Sequence, residues 1–294
     1  MTRAEELTIA TKYLLKFAWP TVLLAFALTL LYGGIYWAAL VGQIPMWLGM
    51  LLNGVVAFWF YTIHHEANHE NICGKHKKWL WLNKALGMLS AIPLMLSFEH
   101  FSRSHMQHHI HTNIPGKDPD ANLAGPASAL LPRWVLVHLI KLLVYVPGMT
   151  ELVGRLLPQS KVAIGMQMFK TNRAGERFYL QVCFVLIVIG TVLGYGVPLV
   201  MLWWIPSALA MLILHVWFAW IPHSPYKETV RYRNTRVRTW PGSHWLLMAQ
   251  DYHLTHHLYP RIPFYHYRAF CKEIRASLDQ NGAVLDGKDA QLLT

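Results

Sequence analysis

Polar and apolar positions fall into long blocks rather than short alternations. From Phe17 to His65 there is no Asp, Glu, Lys or Arg in 49 residues, and from Phe178 to Pro222 there is none in 45. A bilayer core about 30 Å thick takes roughly 20 apolar residues to cross as a helix, so each block is long enough for two crossings. Turn-forming residues break each block near its middle: Gly42, Gln43 and Pro45 in the first, Gly194, Gly196 and Pro198 in the second. The pattern predicts two helical hairpins, with spans at about 18-40, 46-63, 178-195 and 199-220.

The remaining segments read as membrane-surface structure. Residues 1-16 mix Arg3, Glu5, Glu6, Lys12 and Lys16 with apolar positions and predict a surface helix. Between Lys84 and Glu99 only 14 uncharged residues occur, interrupted by Pro93, which is short for a crossing and suits an interfacial or re-entrant segment. The stretch from Arg133 to Val146, with Arg133, His138 and Lys141 among apolar residues, reads the same way, and Gly175 to Arg177 and Pro241-Gly242 read as connectors. The expected fold is an all-α integral membrane protein of one domain, 1-294, with four transmembrane helices and a cytoplasmic cap of helices from 64-177 and 221-294. Every Lys and Arg lies before, between or after the hairpins, and cytoplasmic segments collect positive charge, so both termini and the cap are expected on the cytoplasmic side of a bacterial inner membrane or its equivalent.

Composition sharpens this picture. At 54% hydrophobic and 14% charged, the chain is far from a soluble average. The formal net charge of +11 and the run Arg231, Arg233, Arg236, Arg238 could suggest nucleic acid, but basic juxtamembrane segments are drawn to anionic headgroups and set orientation, which accounts for the charge without a nucleic acid. The same four arginines are a candidate docking face for an acidic electron carrier. Cys73, Cys183 and Cys271 are odd in number and lack C-x-x-C spacing, so no disulfide framework is expected. The first apolar run is too long for the core of a cleaved signal peptide and is expected to remain as an anchor.

The candidate chemistry lies in histidines beside the spans. His253-Leu254-Thr255-His256-His257 repeats the pattern of His105-Met106-Gln107-His108-His109, and His65-Glu66-Ala67-Asn68-His69 adds a third cluster. Residues three and four apart share a helix face, so each cluster aims its rings in one direction. Eight aimed imidazoles exceed what one ion needs; zinc is normally satisfied by four ligands, so the inventory points to two ions, and imidazole suits iron. Both hairpins return the chain to one membrane face, so all three clusters can meet there. Isolated histidines, His76, His100, His138, His215, His244 and His266, are read as structural or surface residues.

Three rival readings stand beside this one. His65 to His69 also spells H-E-x-x-H, the signature of an intramembrane zinc protease with Glu66 as general base, but that site needs one further ligand and leaves two clusters idle. A haem held by two histidines leaves most of them idle too. A membrane scaffold that keeps a metal without catalysis is the third.

The three boxes, their order and the two-hairpin layout resemble the membrane fatty acid desaturase and hydroxylase superfamily over residues 17 to 272. The segments Ser104 to His111, Lys117-Asp118-Pro119-Asp120, Ile221 to Pro225 and Gln250 to Pro260 look more specifically like the cyanobacterial type of β-carotene hydroxylase. The resemblance implies a non-haem di-iron centre held by His65, His69, His105, His108, His109, His253, His256 and His257, with His223 as a ninth ligand. Stearoyl-type desaturases carry an Asn one turn before that single histidine where this chain has Ala219, and four residues inside the first box where this chain has three. Both departures lean toward the carotenoid-modifying branch.

Around the ligands, Glu66 and Asp251 are candidates to orient an imidazole from behind, and His111 stands near the ions if its helix continues. Asp118 and Asp120 read equally as ring supports and as a turn around Pro119. The implied activity is a di-iron oxygenase reaction in which O2 is the co-substrate and an unactivated C–H bond of a membrane lipid or carotenoid is oxidised. The leading expectation is β-carotene ring hydroxylation; fatty acyl desaturation or hydroxylation is the alternative. No G-x-G-x-x-G, C-x-x-C-H or iron-sulfur cysteine pattern is present, so electrons must come from a separate ferredoxin or haem protein.

Overall fold

In the computed structural model the described residues are 1-144 and 174-287, with 146, 149 and 152 between them. The helices are α1 (Arg3–Tyr13), α2 (Trp19–Leu40), α3 (Met46–Asn68), α4 (Leu80–Leu94), α5 (Phe98–His111), α6 (Leu130–Val144), α7 (Ala174–Val192), α8 (Gly196–His223), α9 (His253–Leu258), α10 (Tyr267–Glu273) and α11 (Arg275–Gln280). Helices α2, α3 and α8 are each long and apolar enough to cross a membrane.

Helix α3 continues past the expected end at 63 and carries the first histidine cluster on its last turns. Helix α8 is 28 residues long, about 42 Å at the α-helical rise, so it outruns the hydrocarbon core. Two wider π turns, Val200–Trp204 and His215–Trp220, precede Pro206 and Pro222. Proline lacks an N–H and crowds the carbonyl four residues back, and the widened turn relieves that conflict. The Leu202 carbonyl released ahead of Pro206 accepts from the Tyr32 hydroxyl at 3.0 Å and from Asn53 Nδ2 at 3.2 Å, which ties α8 to α2 and α3.

The expected span at 178-195 falls on α7, whose apolar part among the described residues is Phe178–Val192. Gly175 to Arg177 are not a connector, because α7 already includes them. Residues 145, 147-148, 150-151 and 153-173 of the expected cap lie outside the described residues.

The segment expected to be interfacial is a bent pair. The helical stretch Lys77–Leu94 meets α5 at 98°. The bend has a local cause: Met95 adopts the left-handed conformation at φ 46°, and Ser97 caps α5 by accepting from His100 N. Helix ends leave carbonyls in want of donors, and at this break Leu96 N donates to Ala91 O and Met95 N to Ile92 O, both at 3.2 Å. Side chains from α7 and α8 add further donors: Tyr179 donates to Ala91 O at 2.9 Å, Trp203 to Ile92 O at 2.6 Å and Ser207 to Leu94 O at 2.6 Å.

Beyond the spans, α1 packs on the C-terminal helices. Thr2 and Glu5 form a reciprocal capping box, and buried Glu6 accepts from the hydroxyls of Tyr232 at 2.9 Å and Tyr259 at 2.8 Å. The core here joins Ala10 with Val237, Tyr252, Leu254, Tyr267 and Phe270, while a second core joins α2, α3, α4 and α8 through Ala25, Phe60, Ile63, Leu94 and Leu214. The all-α expectation needs one amendment: β1 (Arg236–Arg238) and β2 (Val284–Asp286) pair in parallel, Val237 opposite Leu285.

Candidate metal centre

Three helix segments and the end of a fourth deliver the histidines. His65 and His69 leave the last turns of α3, His105, His108 and His109 lie on α5, His223 ends α8, and His253, His256 and His257 lie on α9. They assemble into two groups whose donor atoms lie within 4.8 Å of one another: His65, His69, His105, His109 and His256 in one, and His108, His223, His253 and His257 in the other. Each H-x-x-H-H box divides between them. In α5 the residues four apart, His105 and His109, join the first group and His108 the second; in α9 His253 and His257 join the second group and His256 the first. The groups adjoin, with the His109 and His257 rings 4.3 Å apart.

The separations fit metal ligation. Nε2 of His256 lies 3.0 Å from that of His65 and 2.8 Å from that of His109; His105 Nε2 lies 3.0 Å from both His69 and His109. In the second group His223 to His253 is 3.0 Å, His257 to His253 is 3.1 Å and His108 to His257 is 3.2 Å. With metal–nitrogen bonds of about 2.1 Å, neighbouring donors stand about 3.0 Å apart around an octahedral ion and about 3.4 Å apart around a tetrahedral one. The observed spacing of 2.8 to 3.2 Å is of the size that donors sharing one ion require, and the five donors of the first group exceed a tetrahedron.

Protonation of the α9 rings is consistent with this use. Burial, with smaller contributions from neighbouring rings, holds His256 and His257 well below the usual histidine range, and burial followed by His108 pushes His253 down to about 3. Neutral rings are what a cation requires. The outward nitrogens of two rings have partners that fix the tautomer: His108 Nδ1 donates to Asp118 Oδ1 at 2.9 Å, and His256 Nδ1 donates to Tyr267 Oη at 2.9 Å. Thr112 Oγ1 sits 3.5 Å from His257 Nδ1 and donates to His108 O at 2.8 Å.

The candidate supporting residues divide. Asp118, fully buried, is both ring support and turn: besides His108 it accepts from Asp120 N at 2.8 Å and Asn113 N at 2.7 Å. Asp120 stands farther out, its Oδ2 3.6 Å from His108 Nδ1. Glu66 does not meet the expectation of holding a ligand ring. It belongs to neither donor group, and its Oε1 accepts from Asn71 Nδ2 at 3.1 Å. Asp251 accepts from Ser243 Oγ at 2.6 Å, fixing the turn ahead of α9. His111 ends α5 and joins neither group, as do His76, His100, His215, His244 and His266; the His138 side chain lies outside the described residues.

The arginine face also divides. Arg231 donates to Leu258 O at 2.8 Å and lies over the rings of Tyr232 and Tyr259, and Arg236 donates to Ser224 O and stands 3.7 Å from Asp286. Both are structural ties, whereas Arg233 and Arg238 are exposed.

Sequence reasoning missed Tyr267, Thr112 and Asn113. Asn113 Nδ2 donates to Glu228 O and Asn234 O, both at 2.7 Å, pinning the end of α5 to the loop after α8. No spacing rule points to these residues, since the partners that matter come from distant parts of the chain. His64 is a counter-case, a box neighbour whose Nδ1 lies 3.2 Å from Gly87 O and 3.0 Å from Ser90 Oγ on α4.

Toward the spans the rings rest on aromatic side chains. Tyr61 stacks on His65 with centroids 5.6 Å apart, Phe101 on His105 at 5.0 Å, and Phe218 meets Tyr61 at 4.8 Å and His253 at 6.2 Å. No curated protein matches the chain. A family model described as fatty acid desaturase matches residues 42–288, and with its apolar helices and clustered histidines the chain belongs to that family of membrane oxidoreductases.

Proposed function

We propose that the protein is an O2-dependent oxidoreductase that acts on unactivated C–H bonds of a bilayer-dissolved substrate through two iron ions, held by the nine histidines of the two groups. The observation that carries this reading is the convergence of those histidines, five and four, into adjoining cages at the ends of apolar helices. Bound irons would supply the activation of O2 and the oxidising power for hydrogen removal.

The chain's own residues supply position and exclusion. Asp118 and Tyr267 hold His108 and His256 with Nε2 turned inward. Tyr61, Phe101 and Phe218 make the membrane-facing side of the cages apolar, which admits a hydrocarbon and keeps water from the reacting centre. The preponderance of Lys and Arg outside the spans supports a cytoplasmic site and cytoplasmic termini. Electrons would arrive from a ferredoxin or haem protein, and Arg233 and Arg238 are the two cations of the expected docking face that remain outward.

For the substrate, ring hydroxylation of a carotenoid is the leading reading. It rests on the resemblance of the second and third boxes and on Ala219, buried beside the cages, where stearoyl-type desaturases carry Asn. Acyl-chain oxidation is the second reading, favoured by the matched family's description. Expression in a β-carotene-producing host, with pigment and fatty acid analysis, separates them: hydroxylated carotenoids support the first, and unchanged carotenoids with new acyl double bonds reject it.

A further inference from the structure

A pocket of about 240 Å³ opens where three distant pieces of chain meet. Leu15 comes from the segment just ahead of α2, Asn71, Gly74, Lys75 and Lys77 from the loop just after α3, and Arg261 from the loop just after α9. The first two pieces are joined as a short backbone ladder: Ala18 N donates to Ile72 O at 3.0 Å, Lys75 N to Leu15 O at 3.1 Å and His76 N to Lys16 O at 3.3 Å. Gly74 permits their close approach; it has φ 54°, and a Cβ there would stand 2.4 Å from Leu15 O. Arg261 closes the third side by donating to Gly74 O at 3.2 Å.

The pocket is cationic. Lys77 pairs with Glu70, while Lys75 is exposed and makes no ion pair among the described residues, and Arg261 is exposed beyond its one backbone bond. Three cations against one carboxylate leave a positive excess, and a guanidinium with an ammonium is a donor set suited to phosphate oxygens.

Its height is marked by aromatic rings. Phe17 lies 5.2 Å from Trp79, Trp79 lies 6.3 Å from Trp81, and Lys78 Nζ stands 5.5 Å over the Trp79 ring. Trp19 and Trp81 are 62% and 63% exposed, at the start of α2 and on α4. Tryptophans mixed with lysines collect at the level of lipid headgroups, where anionic lipids attract them.

We propose that this pocket binds the phosphate of an anionic phospholipid headgroup. The bound headgroup bridges the approach to α2, the exit from the first histidine cluster and the exit from the third. Asn71 lines the pocket and also donates to Glu66, so occupancy braces the last turns of α3.

The test uses the purified full chain in a non-ionic detergent. Short-chain phosphatidylglycerol, phosphatidylcholine with the same chains, and inorganic phosphate are titrated separately, following the thermal unfolding midpoint and the lipid retained in native mass spectrometry. Phosphatidylglycerol should raise the midpoint and stay bound, whereas phosphatidylcholine should do neither. Lys75→Gln and Arg261→Gln should each weaken phosphatidylglycerol binding about fivefold and the pair roughly 25-fold, by the usual strength of a cation near anionic lipid. Arg268→Gln with Lys272→Gln, an equal loss of charge on α10, should leave binding unchanged. Equal stabilisation by phosphatidylcholine, or equal weakening by the α10 pair, overturns the proposal. Inorganic phosphate as effective as phosphatidylglycerol assigns the pocket to a free anion and overturns the lipid. If Arg261→Gln fails to fold, the exposed Lys75→Gln decides alone.

Discussion

His108 Nδ1 donates to Asp118 Oδ1 at 2.9 Å, and His108 is the one ring on α5 that joins the four-histidine group. His223 and the two α9 rings complete that group, so it has no spare donor beyond four. The positioning of a single ring therefore matters more here than in the group of five.

Replacing Asp118 by Ala removes the ring's partner and leaves the amides of Asn113 and Asp120 without their acceptor. Loss of such a partner typically costs 10- to 100-fold in metal affinity or activity. We expect iron content to fall from about two toward about one per chain, with a smaller loss in Asp118→Asn, as measured by elemental analysis of purified protein.

His223→Ala and His65→Ala should differ. The first leaves three donors in its group and the second leaves four. Metal retention after a brief chelator challenge should be lower for His223→Ala, and equal retention would contradict the five-and-four division.

Tyr267→Phe deletes only the hydroxyl that accepts from His256. The ring stays in its buried place, so stability should drop by only about 1 kcal/mol, while turnover falls roughly tenfold. An unchanged rate with normal iron content would show that His256 is held by its ligand bond alone.

Glu66→Gln separates two chemistries. A metal hydrolase loses its general base and its activity, whereas here Glu66 faces Asn71. Oxidation of lipid or carotenoid should persist within about tenfold of the parent, read from product analysis.

Gly87 bears on the bend. A Cβ at that position would stand 2.5 Å from the Phe98 ring, and His64 lies against the Gly87 carbonyl. Gly87→Ala should destabilise by about 1–3 kcal/mol through overpacking, whereas Gly34→Ala, with nothing within 4 Å, should not lower the unfolding midpoint.

The histidine boxes and the two charge-free blocks were legible because each leaves a periodic or compositional trace: Phe17 to His65 reads as membrane by the absence of charge, and His105, His108 and His109 read as one helix face by spacing. The division of each box between two cages was not legible, since helix spacing gives direction only to within a face and the choice of cage depends on how α5 and α9 approach each other. Tyr267 and Asn113 left no trace because their partners come from folding, not from periodicity. Arg231 and Arg236 show a related limit: composition records a charge, but not that a guanidinium is tied to Leu258 O or Ser224 O.

That division has a mechanical corollary. Because α5 and α9 each lend rings to both cages, the distance between the two cages is gauged by the pitch of two short rods, not by the hinge of any loop. Neither cage can drift from its companion unless a helix unwinds, so ions placed in them would keep one separation whether a single cage or both were filled.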